Sequence, residues 1–347
     1  MLASIWVTTA CNMRCDYCYE GMDKSYEMMS RETVDIAIDY ILSQYKQMAD
    51  TTLIVQFHGG EPLMNFEIVK YTTNRIKEAF IGQDDVLLFG MTTNGTLLDA
   101  EKMSFLATNI NYGLSISLDG GKDTHDLHRK LHNGKGSYDL VTSNALQLLT
   151  LRTDIRARLT FNSETVAELY ENAVHLVKLG FGKVACIPDY YDNRWNENHM
   201  KLLLEQARQV QIYLREAQKN HPDLDIILLN VPYFKMGVCT GGTGSFHILP
   251  NGDLYPCSYG IGDNEFRIGN VKDASPLDTD KLASILRSAE EINPDCKGCS
   301  LYAGCTCSRC KIINKVLTGN DLTPSPVVCA MENTKYQILK ENNTIYT

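Results

Sequence analysis

The first two thirds of the chain alternate between short apolar runs and longer stretches with helical spacing. Apolar runs at 5–9, 53–57, 86–92, 113–118, 155–161 and 183–187 read as strands. Between them, 33–45 places Val34, Ile38, Ile41, Leu42 and Tyr45 on one helical face, with Ser30 as its N-cap. Residues 67–80 and 164–179 read as further helices, the second stopped by Gly180. Six strands with crossover helices imply an α/β fold, a parallel sheet covered on both faces and curling toward a barrel. Functional groups then gather at the carboxyl ends of the strands. Cys11, Gly59, Asn94 and Asp119 follow the first four strands in that position.

The last third changes character at about Val231-Pro232-Tyr233. Before it, 201–219 reads as a long amphipathic helix, His221-Pro222 as a break and 225–230 as one more strand. After it, short strands on either side of Pro250-Asn251-Gly252-Asp253 make a hairpin signal. A linker containing Pro276 leads into a cysteine-rich tail. The expected division is a barrel over 1–231 and a small cysteine-rich domain over 232–347.

Composition narrows the class. At 347 residues, 44% hydrophobic and 22% charged, the chain can bury a large core. A net charge of −9 lacks the basic surface of a nucleic-acid partner. No apolar run is long enough to span a bilayer, and the start Met1-Leu2-Ala3-Ser4-Ile5-Trp6 lacks the marks of a signal peptide. A cytoplasmic enzyme with no membrane partner is expected. Its 12 cysteines cluster, three near the start and nine from Cys186 onward, which favours metal or cluster ligands over disulfides. Zinc is the competing reading of Cys296-x2-Cys299 with Cys307-x2-Cys310.

The segment Cys11-Asn12-Met13-Arg14-Cys15-Asp16-Tyr17-Cys18 decides the chemistry. Three thiolates hold three irons of a cubane and leave the fourth open. This C-x3-C-x2-C motif, with an aromatic before its last cysteine, resembles the signature of radical S-adenosylmethionine (SAM) enzymes. The resemblance implies a partial (β/α)6 TIM-like barrel, with SAM chelated at the open iron. It extends to His58-Gly59-Gly60-Glu61-Pro62, whose Gly59, Gly60 and Glu61 would meet the SAM amino group. Asn94 would lie near its carboxylate or ribose, Ser117 would contact the same groups, and Arg129 would take the carboxylate. Tyr17 would sit beside the adenine or shield the cluster. Without the resemblance, Gly-Gly and Glu-Pro are ordinary strand-end turns, and Arg129 is a surface charge. His58, His125 and His128 read as local hydrogen-bond partners rather than ligands or bases.

Downstream, the order Cys239, Cys257, Cys296-x2-Cys299-x5-Cys305 and Cys329 resembles the SPASM extension of peptide- and protein-modifying radical SAM enzymes. That resemblance implies two auxiliary [4Fe–4S] clusters, hence three in all. Cys239, Cys257 and either Cys307 or Cys310 would hold one; Cys296, Cys299, Cys305 and Cys329 would hold the other. The family places a cysteine four residues after the equivalent of Cys305, where this chain has Arg309, so Cys307 and Cys310 both stay open for that ligand. Cys186 falls outside the pattern, either as a hydrogen donor to a substrate radical or as a small buried hydrophobe.

The activity implied is reductive cleavage of SAM to a 5′-deoxyadenosyl radical, which takes hydrogen from a ribosomally made peptide. A thioether or carbon–carbon crosslink, an oxidation or an epimerisation would follow. Anaerobic sulfatase-maturing enzymes share the architecture, but they carry an Asp after the cysteine equivalent to Cys257, where this chain has Ser258. Sulfatase maturation is therefore the alternative, beside action on a small metabolite. Because the sequence opens directly on the first strand, leader recognition is expected from a separate leader-binding protein or another surface. An electron donor such as flavodoxin or ferredoxin is also expected.

Overall fold

The computed structural model describes residues 1–21, 25–48, 52–82, 84–229, 239–287 and 291–342. The boundary expected at 231/232 lies outside the described residues. The chain divides into two compact units that interleave along the sequence. One comprises Met1–Ile116, Arg129–Arg152 and Thr240–Ser284; the other Ser117–His128, Thr153–Cys239 and Ile285–Thr347.

The first unit is built on the strands β1 (Leu2–Thr8), β2 (Leu53–Gly59), β3 (Leu87–Thr93) and β4 (Leu114–Ser117), neighbours in that order and parallel. The helices between them are α1 (Arg31–Lys46), α2 (Phe66–Ala79) and α3 (Ala100–Asn109). Ser30 caps α1 as its sequence suggests, its side chain accepting from the Thr33 amide at 3.1 Å. In β2, Leu53, Val55 and Phe57 are buried while Ile54, Gln56 and His58 are partly open, the period-two signature of a sheet with two different faces. Val55 pairs with Phe89, and Phe57 stacks on Phe89 at 6.1 Å. Tyr40 of α1 packs on Phe246 at 5.3 Å, and Lys77 of α2 lies over Phe89, so the helices cover this apolar face. Each fully buried aromatic there contributes about 1.5–3 kcal/mol relative to exposure. Ser4, Trp6, Gln56 and His58 occupy the opposite face.

The hairpin of β8 (Ser245–Ile248) and β9 (Asp253–Tyr255) does not stay with the C-terminal cysteines. β8 pairs in parallel with β1, from Leu2↔Ser245 to Ile5↔Ile248, and extends the first unit's sheet beyond β1. A short β10 (Gly269–Asn270) pairs with β9 at the far edge. The helix α5 (Tyr138–Leu151) and most of α8 (Thr279–Arg287) belong to this unit as well.

The second unit contains α4 (Lys122–His128) and three parallel strands, β5 (Arg156–Phe161), β6 (Lys183–Pro188) and β7 (Asp225–Ile227). They are joined by α6 (Leu169–Lys178) and α7 (Glu197–Ala217). The helix expected from residue 164 begins later. The Asn162 side chain accepts from the Glu164 and Thr165 amides, which holds an Asx turn and a 3-10 turn before α6 starts. The C-terminal part adds α9 (Thr306–Arg309), α10 (Lys311–Thr318) and α11 (Pro326–Glu341). No helix among the described residues is long and apolar enough to cross a membrane.

Candidate active site

The loop after β1 carries Cys11, Cys15 and Cys18, none in a disulfide, with Cys11 buried and the others half-buried. It is tied down from several directions. The Arg14 amide donates to the Lys130 carbonyl at 2.8 Å, His132 Nε2 meets the Cys11 carbonyl at 3.0 Å, and the Cys18 amide turns back to the Cys15 carbonyl at 3.3 Å. Asn94 donates through Nδ2 to Asn12 Oδ1 at 2.9 Å and to Cys11 Sγ at 3.9 Å. Its Oδ1 accepts from the Thr96 amide and hydroxyl, and Asn12 returns to Thr96 Oγ1 at 2.7 Å. Asn94 therefore clamps the cysteine loop. His132 and Asn12 are further contributors that the sequence reading missed; neither carries a spacing signal.

Gly59 and Gly60 let the end of β2 lie directly against that loop. Gly59 has φ 141°, and a Cβ on it would come within 2.2 Å of the Thr8 carbonyl oxygen. A Cβ on Gly60 would meet the Ala10 oxygen at 2.4 Å. The close approach permits Gly60 N–H to bond Thr8 O at 3.1 Å and Glu61 N–H to bond Ala10 O at 2.8 Å. Glu61 is 1% exposed, and its carboxylate accepts from the Leu63 amide at 3.0 Å, the Thr93 hydroxyl at 2.7 Å and the Asn94 amide at 2.7 Å. Burial raises its pKa, opposed by those three donors and by the Arg129 guanidinium. With three of about four acceptor positions filled, the carboxylate chiefly locks the ends of β2 and β3 together.

Arg129 is buried and donates through Nη1 to the Tyr17 hydroxyl at 2.7 Å, which brings the two predicted SAM contacts together. The first unit thus gathers Cys11, Cys15, Cys18, Tyr17, Gly59, Gly60, Glu61, Asn94 and Arg129. Ser117 ends β4 and falls in the second unit. His125 accepts from the Asp119 amide at 3.3 Å, and His128 pairs with Asn162 at 3.1 Å, both local contacts. His58 accepts from the Gly59 amide at 2.9 Å and stacks on Trp6 at 4.5 Å.

On the other side of Trp6, His247 of β8 accepts the indole N–H through Nδ1 at 3.1 Å. Burial lowers the His247 pKa to about 4. A histidine held neutral in the fold contributes stability that is complete above its unfolded pKa of about 6.5 and lost as pH falls through about 4, on the order of 3 kcal/mol. His247→Gln keeps an acceptor for Trp6 and removes the titration. The thermal midpoint of the apoprotein is expected to fall less between pH 7.5 and 4.5 in the variant than in the wild type; equal falls would contradict it.

In the second unit, Cys296, Cys299, Cys305, Cys307 and Cys329 line one small cavity, with Glu332 and Asn333. Asn293 donates to Cys296 Sγ at 3.9 Å and Asn333 to Cys329 Sγ at 3.8 Å. Hydrogen bonding from Cys307 holds the Cys305 thiol down to about 7, while the same contact and burial push Cys307 up. Cys307 also points its Sγ at the Ser325 carbonyl at 3.8 Å. Cys310 stands in a different electrostatic neighbourhood. Burial raises its pKa, opposed by the Ile313 amide, with Cys239 adding to the rise and Arg309 opposing it. Of the two cysteines left open by sequence, Cys307 lines the five-thiol cavity and Cys310 does not. Cys257 precedes the short turn Ser258–Gly260 in the first unit.

Among the described residues no three Cys, His, Asp or Glu converge tightly enough to hold a single metal ion, which a tetrahedral zinc requires. The thiols are instead spread around a cavity, an arrangement that fits a cluster of several irons. The radical SAM superfamily model matches residues 5–155, and the SPASM iron–sulfur cluster-binding model matches residues 239–311. This chain is a radical SAM enzyme with a SPASM domain.

Among its relatives, a cysteine-type anaerobic sulfatase-maturating enzyme of Clostridium perfringens is 22% identical over 88% of this chain and 87% of its own. The sporulation killing factor maturation protein SkfB of Bacillus subtilis is 25% identical over 85% of this chain and 68% of its own. The solved structure of native anSMEcpe with bound AdoMet and Cp18Cys peptide matches with a TM-score of 0.77 at 18% identity, covering 98% and 97% of the two chains. That likeness supports the fold, a partial barrel followed by a SPASM region. SAM and iron–sulfur clusters are the cofactors of this radical SAM–SPASM architecture, and the three thiols of the β1 loop, none in a disulfide, fit a SAM-binding cluster.

Cys186 belongs to the second unit. It is the fourth residue of β6, 4% exposed, and shares its strand face with Leu159, Ala157 and Val184, each at most 1% exposed. Burial pushes its thiol up to about 12. This is the setting of a small core residue.

Proposed function

We propose that this radical SAM–SPASM enzyme matures a ribosomally made peptide or protein, abstracting hydrogen from it to give a crosslink, an oxidation or an epimerised centre. The observation that carries this reading is the second, separate gathering of thiols around the cavity of the C-terminal part, in addition to the β1 loop triad. A SAM cluster alone needs three cysteines, and the additional set suits auxiliary clusters that take up an electron from a substrate. The peptide-bound relative structure supports the substrate class.

In this reading Cys11, Cys15 and Cys18 hold the SAM cluster, and Cys296, Cys299, Cys305 and Cys329 hold one auxiliary cluster. Cys239 and Cys310 supply ligands to another. When bound, SAM and its cluster supply the 5′-deoxyadenosyl radical. The chain's own work is positioning. Arg129 presents a guanidinium suited to the SAM carboxylate, Tyr17 is oriented by that same guanidinium, and Asn94 and Glu61 fix the loop and strand ends around them. An electron donor such as flavodoxin or ferredoxin and a leader-binding protein complete the system.

Anaerobic reconstitution is expected to yield about twelve irons per chain and 5′-deoxyadenosine from SAM. About four irons would remove the auxiliary clusters from the reading, and zinc without SAM cleavage would remove the reading itself. Sulfatase maturation is the second reading, favoured by the Clostridium relative. Ser258 has no carboxylate or imidazole hydrogen-bonded to its hydroxyl among the described residues, so it is a poor base. Incubation with a sulfatase-motif peptide should leave it unmodified by mass spectrometry; formylglycine in the product would make that second reading the right one.

A further inference from the structure

Lys311 is an unusual place for a cation. It opens α10, is 4% exposed, and donates through Nζ to the Glu291 carbonyl at 2.7 Å and to Asn293 Oδ1. Both acceptors are neutral. A buried ammonium is costly without a counter-charge, and the first turn of a helix is the positive end of its dipole. Burial accordingly lowers its pKa, opposed by Asp321, Cys296 and Glu291. Neither of these hydrogen bonds is to a carboxylate. What it does reach is a sulfur. Asn293, 0% exposed, takes Lys311 on Oδ1 and donates through Nδ2 to Cys296 Sγ at 3.9 Å and to the Cys307 carbonyl at 3.0 Å.

A cubane held by four thiolates carries net negative charge in both oxidation states, and more when reduced. It therefore adds a counter-charge for Lys311 to the more diffuse influence of the Asp321 and Glu291 carboxylates. Cluster potential is set by nearby charge, hydrogen bonds to the sulfurs and exposure. We propose that Lys311, acting through Asn293, raises the reduction potential of the cluster held by Cys296, Cys299, Cys305 and Cys329, making it a better electron acceptor. The proposal rests on the three-cluster reading above. Glu332 works in the opposite sense from the same cavity. It is 8% exposed, accepts from the Thr306 amide and hydroxyl through Oε1, and has no partner on Oε2. Lys311 and Glu332 thus form opposing charges on one cluster site.

The test is a redox titration of reconstituted protein followed by electron paramagnetic resonance. Cys299→Ser first identifies the signal of this cluster by its loss. Lys311→Met is expected to make that midpoint more negative, Lys311→Arg to leave it near wild type, and Glu332→Gln to make it less negative. The signal of the SAM cluster should stay in place throughout. A wild-type midpoint in Lys311→Met with full iron content overturns the proposal. Should Lys311→Met lose the cluster, Asn293→Asp decides, since it keeps an oxygen for Lys311 and replaces the N–H donor by a negative charge. A shift to more negative potential there supports the proposal and an unchanged midpoint overturns it. Failure of the three-cluster reading is separately visible, as wild-type protein without that signal.

Discussion

Cys15→Ala is expected to remove about four irons per chain from reconstituted protein and to bring 5′-deoxyadenosine formation down to background. Two thiolates cannot replace three on a loop this short. Cys11 and Cys18 have no spare cysteine in the first unit's β1 loop to recruit, because their neighbours in that loop are Asn12, Met13, Arg14, Asp16 and Tyr17. The remaining irons, in the C-terminal part, should be retained. Cys186→Ala is the matching control. It trades one small buried side chain for another on an apolar strand face, so iron content and SAM cleavage should match wild type, with a stability loss of about 1 kcal/mol. Iron and sulfide analysis with chromatographic assay of 5′-deoxyadenosine checks both. Full activity in Cys15→Ala would place the SAM cluster elsewhere.

Gly60→Ala is the second large effect. The added methyl would stand 2.4 Å from the Ala10 oxygen and 2.6 Å from both the Ala10 carbonyl carbon and the Thr9 oxygen. All three are backbone atoms of the loop that leads into Cys11, so relief requires moving that loop. The Glu61 amide bond to Ala10 at 2.8 Å would break with it. Overpacking of this kind costs about 1–3 kcal/mol, occasionally more. The catalytic effect should exceed it, since misplacing a reacting group by about 1 Å costs roughly 100-fold in rate. Gly21→Ala offers the contrast. Gly21 has φ 78° but nothing within 4 Å of a built Cβ, so it should lose about 1 kcal/mol of stability and keep its rate. Equal rates in the two variants would show that the strand-end approach is not what matters.

Much of this was legible in the sequence because the signals are local. Ser30 sits three residues before an amide it caps, and the cysteine loop, the Gly-Gly-Glu turn and Asn94 each follow an apolar run directly. Tertiary effects were not legible. The role of Glu61 depends on Thr93 and Asn94, two strands' worth of chain away, and the delayed start of α6 depends on one Asn162 side chain. That Cys307 lines the five-thiol cavity and Cys310 does not could not be read from their spacing, because the short helix α9 lies between them. The hairpin around Asn251-Gly252 could be read from its turn residues, but its docking beside β1 could not, since parallel pairing over such a separation leaves no local trace.

That docking has a consequence for how the protein is made. β1 leaves the ribosome long before its second neighbour, β8, which is Ser245–Ile248. During most of synthesis the nascent chain carries an apolar strand with one uncovered edge, a template for pairing with another chain. Contacts so far apart in sequence also form slowly. Truncated or slowly translated forms of this enzyme should therefore aggregate through their first strand. Yield of the full protein would then depend on keeping translation and chaperone supply in step.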